Sequence, residues 1–179
     1  MSTISRIMVA MAMQKHGIIP VFYHPDPSVC FRVLEACYRG GLPVFEFTNR
    51  GIGAHEVFAE LRKKLTDACP DLILGVGSVM DAGTASLYMQ LGANFIVSPV
   101  LHEDIARACN RRKVLWSPGC GSLPEISRAE ELGAEIVKIF PGAQVGGPDF
   151  VKAVRGPMPW TSLMPTGGVS PDRDSLTAW

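Results

Sequence analysis

The stretch EELGAEIVKIFPG at residues 130–142 contains, in order, the end of a helix, a glycine, a short apolar run and a Pro-Gly turn. This order is typical of a helix leading into a buried strand, because Gly133 can take the left-handed conformation that ends a helix. Residues 38–48 and 90–98 repeat the order, each with a glycine before the apolar run. The recurrence predicts a chain built from strand–helix units.

Short β-rich runs of this kind recur along the whole chain. They are Ile18–Tyr23, Val44–Thr48, Leu72–Val76, Phe95–Ser98, Val114–Ser117, Glu135–Phe140 and Thr161–Met164. Successive runs begin 19 to 28 residues apart, which leaves room for one helix and two short loops, as in a parallel sheet. Seven such units favour a barrel over a doubly wound sheet of about five or six strands. We therefore predict an α/β fold of the (β/α)8 TIM-barrel type.

Composition narrows the class of protein. The 179 residues include 17 Lys+Arg and 17 Asp+Glu, and 47% are hydrophobic, which indicates a single folded domain over residues 1–179. A net charge of zero gives no basic surface for nucleic acid or membrane. Five scattered cysteines without a CxxC pair indicate reduced thiols in a cytoplasmic protein. The four histidines lack metal-ligand spacing, so no metal site is expected.

Two apolar stretches could be confused with membrane or targeting segments. Residues 7–13 follow Arg6 and faintly resemble a signal peptide, but Lys15 comes directly after them. A helix packed under the fold is the better interpretation. Residues 84–101 are uncharged, but they are interrupted by polar residues and a proline, so they do not predict a spanning helix.

Lys138 is a charged residue inside an apolar strand. Alternation along residues 135–140 places it on one face with Ile136 and Phe140. If that face is the interior of a barrel, poor solvation lowers the pKa of the lysine and makes a neutral amine available, as a Schiff-base lysine requires. The alternative is a lysine on an edge strand whose ammonium group reaches water.

Glu46 is the second such residue. It shares a face of its strand with Val44 and Thr48 and could pair with Lys138, either as a proton shuttle or as a structural ion pair. Arg50 follows just past the strand end, where a guanidinium could hold a substrate carboxylate. Gly167-Gly168, before a helix that we expect Ser170 to cap, could present N–H groups to an anion, although such a pair is more often simply a turn.

Six motifs in order carry a resemblance to a known family. They are Phe45–Arg50, Gly75–Val79, Ser98-Pro99, Pro118-Gly119, Val137–Pro141 and Pro165–Ser170. Together they resemble the class I aldolases that cleave 2-keto-3-deoxy-6-phosphogluconate and 4-hydroxy-2-oxoglutarate. The resemblance implies a (β/α)8 barrel, a homotrimer, a keto-acid substrate, and neither metal nor organic cofactor.

The resemblance also implies roles for individual residues. Lys138 matches the Schiff-base lysine, Glu46 the general acid/base and Arg50 the carboxylate-binding arginine. Ser78 stands where the family commonly has a threonine that binds the carboxylate. Other matches are assigned by position: Pro99, Pro118 and Phe140 to the pocket wall, and Gly167, Gly168 and Ser170 to half of a phosphate site, with Thr166 beside them as a substrate contact.

The chain departs from the family pattern at its end. Residues 176–179 fall within the expected seventh helix, and a complete barrel needs about 200 residues. We therefore expect the eighth strand to be missing and the phosphate site to be half present. The sequence leaves open which keto-deoxy acid is the substrate, including a galactonate-series analogue. Two alternative functions are a non-catalytic barrel that binds a sugar acid or phosphate and a phosphate-handling isomerase or synthase barrel.

Overall fold

The computed structural model describes residues 4–179, in which seven strands alternate with eight helices. The strands are β1 (Val21–Phe22), β2 (Val44–Thr48), β3 (Ile73–Gly77), β4 (Phe95–Ser98), β5 (Leu115–Cys120), β6 (Val137–Ile139) and β7 (Leu163–Pro165). The helices are α1 (Arg6–His16), α2 (Pro27–Arg39), α3 (Ala54–Ala68), α4 (Ala82–Gln90), α5 (Glu103–Arg112), α6 (Leu123–Glu131), α7 (Gly147–Arg155) and α8 (Arg173–Ala178). The strands pair in chain order, and every pair is parallel.

The sheet is open and curled, so the predicted (β/α)8 barrel is wrong for this chain. A barrel closes only when its first and last strands pair. Within residues 4–179, β1 pairs with β2 and β7 pairs with β6, and neither has a strand on its other side. Both edge strands are also short, with two and three residues. The result is a seven-stranded parallel half-barrel.

Local sequence signals explain where several helices begin. Helix α2 starts with Pro27, and the Asp26 carboxylate accepts a hydrogen bond of 2.8 Å from the Ser28 N–H. The Asp81 carboxylate caps α4 in the same way. Helix α1 is the helix predicted near the amino terminus, and it ends at Gly17 in the left-handed conformation. Within residues 4–179 none of the helices is both long and apolar enough to cross a membrane.

Apolar side chains fill both faces of the sheet. The larger cluster lies between the sheet and the surrounding helices and includes Phe45 and Phe47. A smaller cluster fills the concave interior, where Val44 and other strand residues pack against Val9 and Met13 of α1. Since Phe45 and Phe47 point toward the helices, Glu46 between them points inward. The predicted alternation of β2 is therefore confirmed.

Four aromatic rings form a continuous row beside β2, which we call the aromatic chain: Tyr23, Phe47, Phe58 and Tyr88. Tyr23 and Phe47 have centroids 5.5 Å apart, Phe47 and Phe58 5.5 Å, and Phe58 and Tyr88 5.2 Å. All three contacts are edge-to-face, the geometry that the ring quadrupoles favour by about 0.5–1.5 kcal/mol a pair. The aromatic chain thereby links the segment after β1 with β2, α3 and α4 on the helix side of the sheet.

Candidate active site

Glu46 and Lys138 face each other across the interior of the curled sheet. They project from β2 and β6, and both are nearly excluded from water, with 2% and 5% of their surface exposed. The Lys138 Nζ and Glu46 Oε1 atoms are 3.8 Å apart. Alternation along each strand put both side chains on the inner face, and the curl of the sheet brings the two strands together. The sequence prediction of a buried pair is consistent with this geometry.

Burial affects the two groups in opposite directions. It lowers the pKa of Lys138 from its ordinary value of 10.5, while the Glu46 carboxylate opposes this shift and the charge of Arg50 adds to it. Burial raises the pKa of Glu46 above 4.5, and the charges of Lys138 and Arg50 oppose that shift. Both shifts favour the uncharged forms. An uncharged amine is a nucleophile and a carboxylic acid can give a proton, so the pair is suited to covalent and acid–base chemistry.

Glycine on β3 makes room for the Glu46 side chain. A Cβ atom at Gly77 would collide with Glu46 Oε1, and one at Gly75 would collide with the ring of Phe95. Gly75 is the register partner of Glu46 on the adjacent strand. The carboxylate therefore lies over a strand segment that carries no side chains on its inner face, and a larger residue at Gly77 would displace it.

Arg50 lies where β2 ends, on an exposed loop at the carboxyl edge of the sheet. Its Nε–H donates a hydrogen bond of 3.5 Å to the hydroxyl of Ser78, which follows β3. Ser78 has a φ of 59°, a left-handed conformation that is uncommon for a residue with a side chain and is frequent at functional sites. The structure thus brings together the Arg50 guanidinium and the Ser78 hydroxyl, the two groups to which the family resemblance assigns carboxylate binding.

The three predicted wall residues are not equivalent. Phe140 borders the site, since Lys138 Nζ lies 5.0 Å from the centre of its ring. Pro99 follows β4, and its carbonyl oxygen lies so close to Gly119 that a Cβ there would collide with it. Pro118 differs, because it pairs with Ser98 and alternates with the inward-facing Gly119. Alternation therefore places Pro118 on the helix side, away from the interior.

The predicted anion-binding segment borders a cavity of about 1020 Å³ between the two edge strands. Thr166, Gly167 and Ser170 line this cavity, as does Glu46. The segment differs from the prediction at its end, because Ser170 does not cap α8. The cap is Asp172, whose carboxylate accepts from the Ser175 N–H, while the Ser170 N–H donates to the Ser175 hydroxyl at 2.9 Å. Gly168 is exposed, and its carbonyl accepts from the Trp179 indole.

Cysteine and histidine side chains do not build a metal centre in the described part of the chain, where no group of three or more His, Cys, Asp or Glu could hold an ion. The five cysteines are free thiols. Burial raises the pKa of Cys109 and of Cys120 to about 12, so both thiols remain protonated near neutral pH. Cys120 belongs to the core on the helix side, which separates it from the Glu46–Lys138 pair.

Sequence reasoning missed several residues that shape the site. Asn49 precedes Arg50, and its side-chain oxygen accepts a hydrogen bond of 2.8 Å from the hydroxyl of Tyr88. The two residues are 39 positions apart, so no local pattern predicts their contact. Ser117 is fully buried on β5, and its hydroxyl has no hydrogen-bond partner within residues 4–179. A polar residue in an otherwise apolar strand was the available signal for Ser117.

Comparison with known proteins identifies the chain's relatives. It matches the family described as KDPG and KHG aldolase over residues 9–177. A 2-dehydro-3-deoxy-phosphogluconate aldolase of Pseudoalteromonas atlantica is 32% identical over 154 residues, which cover 86% of this chain and 70% of the relative.

Two solved structures are similar in fold. The 2-keto-3-deoxy-6-phosphogluconate aldolase of Zymomonas mobilis with 3-phosphoglycerate has a TM-score of 0.82 at 26% identity, covering 91% of this chain and 76% of that one. The KDPG aldolase of Legionella pneumophila, with pyruvate captured as a covalent carbinolamine intermediate, has a TM-score of 0.78 at 29% identity, covering 84% of this chain and 71% of that one.

The named relatives are aldolases, which are carbon–carbon lyases, and a parallel α/β sheet with a buried amine beside a carboxyl group fits that class. More specifically, the chain belongs to the KDPG and KHG aldolase family, since the family match spans 169 of its 179 residues (177 − 9 + 1). The resemblance inferred from the six sequence motifs is confirmed.

Proposed function

We propose that this protein is a class I aldolase that cleaves a 2-keto-3-deoxy sugar acid through a Schiff base on Lys138. The observation that carries the assignment of Lys138 is its burial 3.8 Å from Glu46. The Legionella relative holds pyruvate as a covalent carbinolamine, which is the first intermediate that such an amine forms. Arg50 and Ser78 would bind the carboxylate of the substrate and so direct its keto carbon toward Lys138.

The reaction begins with the uncharged amine of Lys138. Its lone pair attacks the C2 keto carbon, and the proton that the nitrogen then loses passes through Glu46 to the carbonyl oxygen to give the carbinolamine. Glu46 in its acid form supplies a proton as the hydroxyl leaves as water, which produces a cationic imine. The lowered pKa of Lys138 favours the first step, and the raised pKa of Glu46 favours the second.

Cleavage then uses the imine as an electron sink. The Glu46 carboxylate accepts the proton of the C4 hydroxyl, the C3–C4 bond breaks, and its electron pair moves into the imine to form an enamine. The aldehyde half leaves. Glu46 returns the proton to C3, and addition of water to the imine releases pyruvate and regenerates Lys138. One carboxyl group placed beside the amine therefore serves every proton transfer.

The substrate class follows from the family. 2-Keto-3-deoxy-6-phosphogluconate gives pyruvate and glyceraldehyde 3-phosphate, whereas 4-hydroxy-2-oxoglutarate gives pyruvate and glyoxylate. Both share the pyruvate half that Arg50 and Ser78 would hold. They differ at the distal end, which would reach toward Gly167 and Gly168. The relatives named for 2-dehydro-3-deoxy-phosphogluconate favour the phosphorylated substrate.

Trapping with borohydride tests the role of Lys138 directly. Incubation with pyruvate and borohydride reduces the imine, and we expect a stable adduct on the peptide that contains Lys138, located by mass spectrometry. Lys138→Met removes the reacting amine and should abolish the adduct. The matched control is Lys152→Met, which changes an exposed lysine paired with Asp149 at 3.6 Å and should leave the adduct unchanged. A folded protein that yields no adduct on Lys138 would contradict the proposal.

A non-catalytic sugar-acid-binding protein is the competing function. It predicts calorimetric binding of the keto acid without release of pyruvate and without change in Lys138→Met. Burial of an amine next to a carboxyl group disfavours this alternative, because such a pair often contributes little to stability and is typical of sites where the two groups react.

We further infer a cytoplasmic homotrimer. Free thiols at all five cysteines support a reducing compartment. Exposed apolar side chains follow three neighbouring strands, namely Ile52 after β2, Met80 after β3 and Val100 after β4. Such side chains are suited to burial between subunits. Sedimentation equilibrium tests the trimer, and a monomer at micromolar concentration would contradict it.

A further inference from the structure

The loop that carries Arg50 rests on the two ends of the aromatic chain. Tyr88 lies at one end, and its hydroxyl donates a hydrogen bond of 2.8 Å to Asn49 Oδ1. Tyr23 lies at the other end, and its hydroxyl packs against Gly51 so closely that a Cβ at position 51 would collide with it. Asn49 and Gly51 are the neighbours of Arg50 on either side, so the loop is fixed at two points.

We propose that Tyr88 and Tyr23 are positioning residues for Arg50, which hold its guanidinium where it binds the substrate carboxylate. The inference rests on the proposed function of Arg50. Neither tyrosine is part of the Glu46–Lys138 pair, and both act through the backbone of residues 49–51.

The contacts within the aromatic chain restrain the positions of the two tyrosine rings. Tyr88 is 1% exposed, and it packs edge-to-face on Phe58, which packs on Phe47 of β2. Phe47 precedes Thr48 and the loop along the chain, and Tyr23 packs on its other side. The hydroxyls at both ends are thus fixed relative to β2, the strand that also carries Glu46. The aromatic chain relates the position of the carboxylate-binding group to that of the proton-transfer group.

Backbone hydrogen bonds hold the loop but not the Arg50 side chain, and the Gly51 carbonyl accepts a hydrogen bond of 3.1 Å from the Ala54 N–H. The Asn49 N–H donates to the Gly77 carbonyl at 2.9 Å, and the Arg50 N–H donates to the Thr48 carbonyl at 2.9 Å. Arg50 itself is exposed and makes one long hydrogen bond, at 3.5 Å, to Ser78. A long, exposed side chain loses substantial conformational entropy when it binds a ligand, and a fixed backbone reduces that loss.

Burial also keeps the Tyr88 hydroxyl in the donor form. Desolvation raises its pKa to about 12, with a smaller contribution from Tyr23. The hydroxyl therefore keeps its proton throughout the range in which the enzyme would be assayed, and the hydrogen bond to Asn49 does not depend on pH there.

Tyr88→Phe tests the inference, because it removes the hydroxyl and retains the ring. The readout is the pyruvate concentration that gives half the maximal rate of borohydride trapping on Lys138. Loss of one neutral hydrogen bond predicts a rise of about three- to tenfold in that concentration, with the rate at saturating pyruvate unchanged. Tyr38→Phe is the control, since Tyr38 lies at the carboxyl end of α2, at the opposite edge of the sheet from this loop.

Combining Tyr88→Phe with Arg50→Ala distinguishes positioning of Arg50 from a general effect of Tyr88 on the fold. In Arg50→Ala, Tyr88→Phe should cause no further rise, because the group it positions is gone. Asn49→Ala removes the acceptor of the same hydrogen bond and should reproduce the effect of Tyr88→Phe. An unchanged half-saturating concentration in both Tyr88→Phe and Asn49→Ala would overturn the inference, as would an equal rise with and without Arg50.

Calorimetric titration with pyruvate repeats the comparison without the borohydride reduction. Weaker binding in Tyr88→Phe than in the wild type supports the inference even if trapping fails, and equal binding contradicts it. A wild type that binds pyruvate and forms no adduct contradicts the Schiff-base function alone. The two proposals can therefore fail separately.

Discussion

Ion pairs between a cationic side chain and a glutamate occur in opposite surroundings in two regions of this protein. Arg128 on α6 binds Glu103 of α5 at 2.7 Å and Glu131 at 2.5 Å, with all three side chains well exposed. Glu46 and Lys138 are 3.8 Å apart and almost fully buried. The shorter Arg128 contacts lie at the surface, where water screens the charges. The longer Glu46–Lys138 contact lies in the interior, where burial raises the pKa of Glu46 and lowers that of Lys138, so that both uncharged forms are favoured. The exposed pairs with short distances thus have a structural role, and the buried pair with the longer distance has the reactive one.

Lys138→Met should have the largest effect on activity, because it removes the amine of the buried pair. The variant lacks the nucleophile, and we expect aldol cleavage to fall by at least about 1,000-fold. The measurement is pyruvate release from 2-keto-3-deoxy-6-phosphogluconate. Lys152→Met on the surface should retain full activity. Retention of more than a tenth of the wild-type rate in Lys138→Met would contradict the assigned role.

Removing both buried charges tests whether the pair stabilises the fold. In Lys138→Met with Glu46→Gln, the cost of burying two ionisable groups is gone, so the melting temperature should equal or exceed that of the wild type. A clear fall in the melting temperature would mean that the pair is chiefly structural.

Glu46→Gln has the next largest expected effect. Losing the acid–base group should lower kcat by about 100- to 10,000-fold, while pyruvate binding through Arg50 persists. Steady-state kinetics on both substrates checks this outcome. A fall in kcat of less than threefold would assign the proton transfers to another group.

The same variant predicts a pH dependence of stability. The pKa of Glu46 is higher in the folded chain than its ordinary value of 4.5, so the folded state binds this proton more tightly. The stability that Glu46 contributes is therefore complete below about pH 4.5 and is lost as pH rises through the raised pKa. Urea titrations should show that the free energy of unfolding of Glu46→Gln rises relative to that of the wild type as pH rises through that range. The opposite trend would contradict the direction of the shift.

Gly77→Ala tests whether the position of the buried Glu46 carboxylate matters, because it leaves both charged groups of the pair in place. The added methyl group would displace the Glu46 carboxylate from its place over β3, and we expect kcat to fall by about tenfold or more. Gly156→Ala is the matched control, because the nearest atom to its Cβ is the Ala153 carbonyl oxygen at an ordinary 3.4 Å. Equal kinetics in the two variants would show that the position of Glu46 is not critical.

Arg128→Ala should have the smallest effect. Its two salt bridges lie on the outer surface of α5 and α6, so cleavage should be unchanged. Calorimetry should show the melting temperature altered by no more than about 2 °C, since exposed pairs contribute little. A larger loss in high salt than in low salt would contradict this account, because screening weakens exposed pairs.

Local pattern predicted the parts of the site that depend on a single strand. Phe45 and Phe47 flank Glu46, and Ile136 and Phe140 share a face with Lys138, so alternation alone oriented both groups. The openness of the sheet was not predictable in that way, because it depends on pairing between β1 and β7. Strand–helix spacing is the same in an open and a closed sheet.

Other differences have equally specific causes. The motif at Pro118 suggested a wall residue, yet alternation with Gly119 turns it to the helix side. The contact of Tyr88 with Asn49 joins distant parts of the chain, and it depends on how α4 packs beside β2. Ser170 has the chemistry of a helix cap, but Asp172 lies two residues nearer α8 and takes that position.

The absence of side chains on the inner face of β3 at Gly75 and Gly77 has a consequence for how this enzyme can vary. In a saturation library, Gly75 and Gly77 should tolerate essentially no substitution, because Phe95 and Glu46 occupy the space that a side chain would need. Leu74 and Val76, which point to the helix-side core, should accept other apolar residues of similar volume. After selection for activity, positions that tolerate no substitution would alternate along β3 with positions that tolerate several. That pattern would indicate where the Glu46 carboxylate lies, although Glu46 belongs to the neighbouring strand β2.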